Sequence, residues 1–507
     1  MDHFPMTRRF VFFLALCAPL IGRAQFTNGQ PAAFVLGQEN FTASASAPTS
    51  SHYFGAQDIA VDPHTGKAFV VDKYAHRILR YATVDGLAPG ASPEAVIGQS
   101  DLNSFTAGSG TAKLNAPNAI AIDAQGALWV ADQGNNRVLR FPNAASAGNG
   151  PAANLVLGQP DFSGTSPLTT RPGMNAPSGL CVDSSGTLWV ADQSNNRVLR
   201  FDDAANKGSG ADANGVLGQL DFTSSGSGSN AKGMNQPFGV AATSGGALFV
   251  ADMINSRVLR FDDAAGKLDG ANADHVLGQP DLNGGFSSAT RQRIGSPMNI
   301  GLDAAGTLAV ADRNNHRCLL WTAAASLNDY APASFVIGQS DFTSTATAIS
   351  QTKISDPLSA KFDAAGRLWI ADSSARRVLR FDPAKLTGNA FQPGIATERS
   401  KRAITFRLSN LGSLPARFQI TGAVKVRRST GVRLKIKWKL DGVNVSSQLR
   451  AGNLVVGPLT SADTVALVCQ PKRPGKTIGR IKLKISVTVS SATYPTLNAT
   501  ARSTLKL

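Results

Sequence analysis

The chain has 507 residues, with 50 Lys and Arg against 34 Asp and Glu and a formal net charge of +16. That charge is unevenly held: residues 395–507 carry 21 Lys and Arg against 3 Asp and Glu, and the rest carries 29 against 31, which is near neutrality. Only Cys181, Cys318 and Cys469 follow Cys17, an odd number with the first two inside predicted strands, which reads as small buried hydrophobes rather than a disulfide framework.

Taken in chain order, residues 1–24 read as a secretory signal. Arg8-Arg9 is a basic start, Phe10–Ala18 an apolar core too short for a permanent membrane helix, and Gly22-Arg23-Ala24 a small-x-small cleavage site. Leu14-Ala15-Leu16-Cys17 approaches a lipoprotein box, but Leu16 stands where a small residue belongs. No other segment could cross a membrane, so the expectation is a secreted, periplasmic or cell-surface protein.

From residue 33 the chain repeats itself. One copy, Asn175 to Phe201, reads N-A-P-S-G-L-C-V-D-S-S-G-T-L-W-V-A-D-Q-S-N-N-R-V-L-R-F. Its Asp recurs every 60 residues as Asp72, Asp132, Asp192, Asp252, Asp312 and Asp372, and its Arg as Arg77, Arg137, Arg197, Arg257, Arg317 and Arg377. A Gly-Gln pair follows each time, starting at Gly37 and then Gly98, Gly158, Gly218, Gly278 and Gly338. A fixed period of this kind means a repeat architecture. In the third copy the short apolar runs Gly179–Val182, Leu188–Ala191, Val198–Phe201 and Gly215–Leu217 read as strands, with Asp183–Gly186 a hairpin turn. Four antiparallel strands per repeat make a propeller blade, so the spacing predicts six blades. No seventh Gly-Gln follows Phe381, whereas Ala33–Gln38 precedes the first repeat, so this segment is expected to supply the outer strand of the last blade and close the ring.

The string Val-Asp-x-x-Gly-x-Leu-Trp-Val-Ala-Asp-x-x-Asn-Asn-Arg-Val-Leu-Arg-Phe resembles the NHL repeat, over residues 33–387. The resemblance implies a propeller used to bind ligands or proteins, and in some members a metal-dependent lyase or lactonase. The usual NHL unit is shorter; the surplus here lies in stretches such as Asp161–Met174.

Residues 388–398 read as a joint, and residues 399–507 as an antiparallel, immunoglobulin-like β-sandwich. The alternation of Val432, Leu434, Ile436, Trp438 and Leu440 with Arg433, Lys435, Lys437 and Lys439 is that of a half-buried strand. Ile481, Leu483 and Ile485 alternate with Lys482 and Lys484 in the same way. The turns of this region resemble those of small adhesion-type domains appended to exported bacterial proteins. Concentrated charge of one sign suggests attachment to an anionic cell-surface polymer or a membrane surface through Arg433, Lys435, Lys437, Lys439, Lys482 and Lys484. Few aromatics interleave with these cations, so nucleic acid is not an expected partner.

A repeated Asp and Arg read as structure, because a binding site breaks symmetry. The asymmetric positions are Tyr74 and His76 in blade 1, Met253 in blade 4, and Arg313 and His316 in blade 5. The residue before the inner strand is polar in blades 1–3 (Gln57, Asn118, Ser178) and apolar in blades 4–6 (Phe238, Met298, Leu358). Such a ring could serve as a ligand platform or pack as a plug. No catalytic residue, metal ligand or cofactor is assigned. Glu39 and Glu94 lie off the repeat's channel positions, and His52, His64, His76, His275 and His316 offer no triad. The reading is therefore a monomeric, exported binding or scaffold protein with a protein or polysaccharide ligand; the alternative is a metal-dependent lyase or lactonase acting in the channel.

Overall fold

The computed structural model describes residues 26–44 and 52–383 in full and, beyond them, the backbone of the strands between Pro393 and Lys506. Residues 1–24, read above as a secretory signal, lie outside the described residues. Phe26–Pro383 form one compact unit, and Ala384–Leu507 belong to another.

The first unit is a six-bladed β-propeller, each blade a four-stranded antiparallel sheet. Blade 3 shows why the sequence folds this way. Its strands are Pro177–Val182, Leu188–Asp192, Arg197–Phe201 and Gly215–Leu217, counted outward from the axis. The first hairpin closes where the Asp183 carboxylate accepts the Ser185 and Thr187 N–H groups, at 2.9 and 3.0 Å. Gly186 sits there at φ +83°, in the left-handed region that suits a residue without Cβ. The next turn is a short 3-10 segment, Gln193–Asn195, ended by Asn196 at φ 53°. Asn enters that region more readily than most residues, and here its side chain donates to Ser225 O at 2.9 Å and accepts Gln236 N at 2.8 Å.

Closure occurs as the repeat count requires. Phe34–Leu36 pairs antiparallel with Arg377–Phe381, Phe34 opposite Arg380 and Leu36 opposite Val378, and so becomes the fourth strand of blade 6. Polar contacts secure the seam: Gln30 Nε2 donates to Asp382 O at 2.6 Å and Gln38 Nε2 to Arg376 O at 3.1 Å. The segment also reaches blade 5, where Val336 N donates to Asn28 Oδ1 at 3.0 Å.

The core is distributed between blades rather than gathered at a centre. Phe69, Val71 and Ile78 of blade 1 pack on Ile120, Val130 and Leu139 of blade 2. The last interface of the ring joins Phe34, Leu36, Trp369 and Val378 to Ile59, Val70 and Leu79. Removing the N-terminal strand therefore opens an entire interblade core, at about 1.5–3 kcal/mol for each large apolar side chain exposed.

Cys318 is buried and Cys181 half-buried, both unpaired, and burial pushes the Cys181 thiol up to about 12. They behave as packing residues.

In the second unit, strands pair in two antiparallel sheets. One runs in the order 393–399, 404–410, 464–471, 436–440, 443–444, and the other 454–459, 416–427, 482–491, 498–506. The strand Pro393–Arg399 lies largely within the stretch read as a joint. Lys437 and Lys439 fall in Ile436–Leu440, whereas Lys482 and Lys484 fall in Lys482–Ser491, so the two basic strands occupy different sheets. Arg433 and Lys435 lie outside the described residues.

Candidate functional site at the channel mouth

The turns between second and third strands, and the long connections between blades, meet on one face around the axis. Each connection is gripped by the repeated ion pair. Asp192 Oδ1 accepts Asn175 N at 2.6 Å, and Arg197 Nη2 donates to Thr170 O and Gly173 O at 3.0 Å each. Arg197 also donates to Phe222 O, beyond the outer strand of its blade. The Arg thus ties the connection entering its blade to the one leaving it, the structural duty expected of a residue repeated in every blade. The Gly-Gln pair has a similar duty: Gln159 Nε2 donates to Asn136 O at 2.9 Å and Ser166 O at 2.8 Å.

The structure brings the apolar half of the expected ring together. Phe238, Met298 and Leu358 are 5%, 3% and 6% exposed and share one cluster, with Met253 packed against it. They form a plug, and little of them faces solvent. Tyr74 behaves differently. It is 56% exposed and meets Phe54, 42% exposed, edge-on at 6.2 Å between ring centroids. The Arg376 guanidinium lies 5.8 Å from the Phe54 ring.

The two histidines occupy the turn position that Asn136 and Asn196 hold in blades 2 and 3. His76 Nδ1 accepts Ala116 N at 2.9 Å, as Asn136 Oδ1 accepts Ala176 N at 2.7 Å. His316 Nδ1 instead donates to Ser355 O at 2.5 Å. Each is thereby fastened to the connection of the following blade, and the two do not converge. Burial holds His76 below the usual imidazole range, with Asp72 opposing. Arg313 pairs with Asp356 at 2.7 Å and stays 46% exposed along its side chain. Among the described residues no three His, Cys, Asp or Glu side chains come together as a metal-holding set. Glu94 is engaged by Lys67 at 2.7 Å and Arg80 at 3.3 Å.

Two groups of residues enter that the sequence reading left without an assigned role. At the mouth, Lys73 Nζ donates to Asn118 Oδ1 at 2.8 Å and Gln133 Oε1 at 2.7 Å, and Gln133 Nε2 continues to Gln193 Oε1 at 3.0 Å. Burial, and then the nearby Arg313 charge, bring the Lys73 ammonium down to about 8. Deeper in, Asp58 is fully buried, accepting Ser359 Oγ at 2.5 Å, Ile59 N at 2.9 Å and Ile120 N at 3.0 Å. Burial raises its carboxyl, with Lys361 the largest opposing influence. Lys361 Nζ donates to Asn299 Oδ1 at 3.1 Å and Ile300 O at 2.8 Å. The signal was present: among the inner strands, Asp58 stands where the other blades have Ala119, Gly179, Gly239, Asn299 and Ser359. Blade 1 carries one extra residue in its first hairpin, so Asp58 lies 61 positions before Ala119 and a strict 60-residue count misses it.

The NHL repeat family matches residues 174–201, within the third repeat. No curated protein matches the chain in sequence. Solved structures do. A protein of unknown function from Bacteroides thetaiotaomicron is 13% identical, with 70% of this chain and 76% of that one covered and a TM-score of 0.44. A gluconolactonase from Xanthomonas campestris is 17% identical over 72% and 98% of the two chains, TM-score 0.38. A virginiamycin B lyase from Staphylococcus aureus is 14% identical over 70% and 92%, TM-score 0.38. The chain is thus a six-bladed propeller that carries the NHL repeat.

Proposed function

We propose that this is an exported binding protein whose propeller holds a protein or polymer ligand on the channel-mouth face, while a basic sandwich over residues 399–507 attaches it to an anionic surface. The observation that carries the first half is the Phe54–Tyr74 pair: two exposed rings in edge contact, on the one blade where the six-fold pattern is most altered. Exposed aromatic rings, one of them with the polar handle of Tyr74, supply contact area at small entropic cost, which is how binding hot spots are built. The second half is supported by strand register. Lys425 stands opposite Lys484, Arg427 opposite Lys482, and Lys482 opposite Lys506. Like charges placed directly across a sheet oppose folding, so a function that uses them is the simplest reason for their presence.

The test compares the full mature chain with its Phe54→Ser/Tyr74→Ser variant on purified envelope polysaccharide and envelope protein fractions. Binding should fall at least tenfold while the melting temperature holds. Equal binding by both chains would remove this face from consideration. The competing lyase or lactonase reading predicts a stoichiometric divalent ion on the axis and turnover that depends on it.

A further inference from the structure

The geometry points to a receptor for a hydroxylated carboxylate, of the uronate kind, at the channel mouth, with Lys73 and Arg313 as its cations. This rests on the mouth being the binding face. Three observations lead to it. Lys73 Nζ is held by two neutral carboxamide oxygens, Asn118 Oδ1 and Gln133 Oε1, so its position is fixed while its charge is left uncompensated. A third ammonium proton has no acceptor among the described residues. The neighbouring carboxylate, Asp72, does not help, because it is taken by Arg77 and by the Phe54 and Gly55 N–H groups.

Arg313 holds the same first turn position in blade 5 that Lys73 holds in blade 1, and between them blade 6 carries only the short Ser373. Both residues open the short 3-10 turn that follows the second strand of their blades, Lys73–Ala75 and Arg313–Asn315, so the ring sets them on one face with a single blade between them. Arg313 spends Nε and Nη2 on Asp356, at 2.7 and 3.5 Å, and keeps Nη1 free of any protein acceptor among the described residues. Lys73, Arg313 and Asp356 then sum to a single positive charge. A monoanion neutralises it, whereas a phosphate dianion would leave negative charge beside Asp356.

Hydroxyl recognition follows from the carboxamides that continue from Lys73. Gln133 and Gln193 are linked at 3.0 Å, and Gln193 reaches Gln236 only at 3.5 Å, a contact long enough to be exchanged for a ligand hydroxyl. Each carboxamide both donates and accepts, as a polyhydroxylated acid requires.

The experiment uses the full mature chain with galacturonate, polygalacturonate, galacturonate methyl ester and inorganic phosphate as probes. Binding is measured by calorimetry, and Lys73 reactivity by limited acetylation against pH with peptide mass readout. A bound carboxylate should raise the Lys73 midpoint by about one unit and slow its labelling at pH 8 about fivefold. Lys73→Met and Arg313→Gln should each weaken galacturonate binding at least tenfold with melting temperature unchanged. Binding of the monomer marks a free sugar acid. Binding of the polymer alone marks chain ends only where it slows Lys73 labelling and is lost in Lys73→Met. Polymer binding that leaves Lys73 labelling unchanged overturns the site, because the basic second unit holds an acidic polymer by itself. The inference is overturned if Lys73 labelling ignores every probe, if the methyl ester binds as well as the acid, or if phosphate binds more tightly. Failure of the Phe54/Tyr74 test with the Lys73 shift intact would discard the aromatic platform and keep this site.

Discussion

Arg197 Nε lies 2.7 Å from Asp192 Oδ2, and both side chains are completely closed to solvent. The pair spans the turn between the second and third strands, where Asp192 and Arg197 are directly opposite in register. It recurs in every blade, at 2.7 to 3.0 Å. Its role is to convert flexible connections into fixed ones, since the outward donors of the Arg end on loop carbonyls rather than on water.

Truncating one member should therefore be costly. In Asp192→Ala a buried guanidinium loses its counter-charge, and about 3–5 kcal/mol of stability should go with it. The part-exposed Lys67–Glu94 pair is the control: Lys67→Met should cost about 0–1 kcal/mol, since Glu94 keeps its contact with Arg80. Urea unfolding of the two variants decides the matter, and equal losses would reduce the repeated pair to surface decoration.

Ring closure predicts a second outcome. Leu36 is fully buried in the last interblade core and belongs to a strand of only three residues. Leu36→Ala should cost about 2–5 kcal/mol. Deleting residues 26–40 should replace one cooperative thermal transition by a broad one. A truncated chain that melts like its parent would refute closure through this segment.

Two glycines separate backbone strain from collision. Gly158 has φ +92°, and a Cβ there would meet Met174 Sδ at 2.8 Å and Asn136 O at 3.0 Å. Gly186 has φ +83° with nothing within 4 Å. Gly186→Ala should cost about 1 kcal/mol from conformation alone, and Gly158→Ala clearly more. Denaturation midpoints that coincide would mean the Met174 side chain moves aside freely.

His76 supplies a pH dependence. Its folded proton affinity is lowered, with Nδ1 already accepting Ala116 N, so below the ordinary imidazole value of 6.5 the unfolded chain binds a proton that the folded one resists. Stability from this residue is thus present at neutral pH and lost as pH falls below about 6.5. His76→Asn keeps an acceptor of the kind Asn136 and Asn196 provide, and should flatten that part of the profile. Melting temperatures between pH 7 and 5 that fall in parallel for both chains would assign the dependence to other groups.

The fold was legible because the signal was repeated: six copies of Asp, Arg and Gly-Gln leave little freedom in strand count or order. The seam at Phe34–Leu36 was legible from a strand missing at one end and present at the other. The site was less so. Phe238, Met298 and Leu358 share a repeat position, but apolar side chains pointing at an axis pack on each other before they meet a ligand. Lys73 was visible as a departure from Gln133 and Gln193, yet its significance depends on which oxygens hold it and on a cation two blades away. Those are facts of the ring's circumference, not of its linear repeat.

The basic second unit gives the last prediction. Its charge of 21 Lys and Arg against 3 acids within residues 395–507 should produce attraction of one sign, strongest where Lys425, Arg427, Lys482, Lys484 and Lys506 share neighbouring register positions. Directly opposed residues of an antiparallel pair lie on one face, so these five positions share one face of their sheet, and Lys437 and Lys439 belong to the other sheet. The screening length falls from about 10 Å at 0.1 M salt to about 3 Å at 1 M. The full chain should therefore bind vesicles containing anionic lipid, or an acidic polymer, at low salt and release near 1 M. Replacing Arg427, Lys482 and Lys484 by Glu should weaken retention more than replacing Lys437 and Lys439, because it reverses charge at positions directly opposed in register to other cations. Co-sedimentation across a salt series measures this. Binding indifferent to salt and to both sets of substitutions would leave the charge of this unit without a role in attachment.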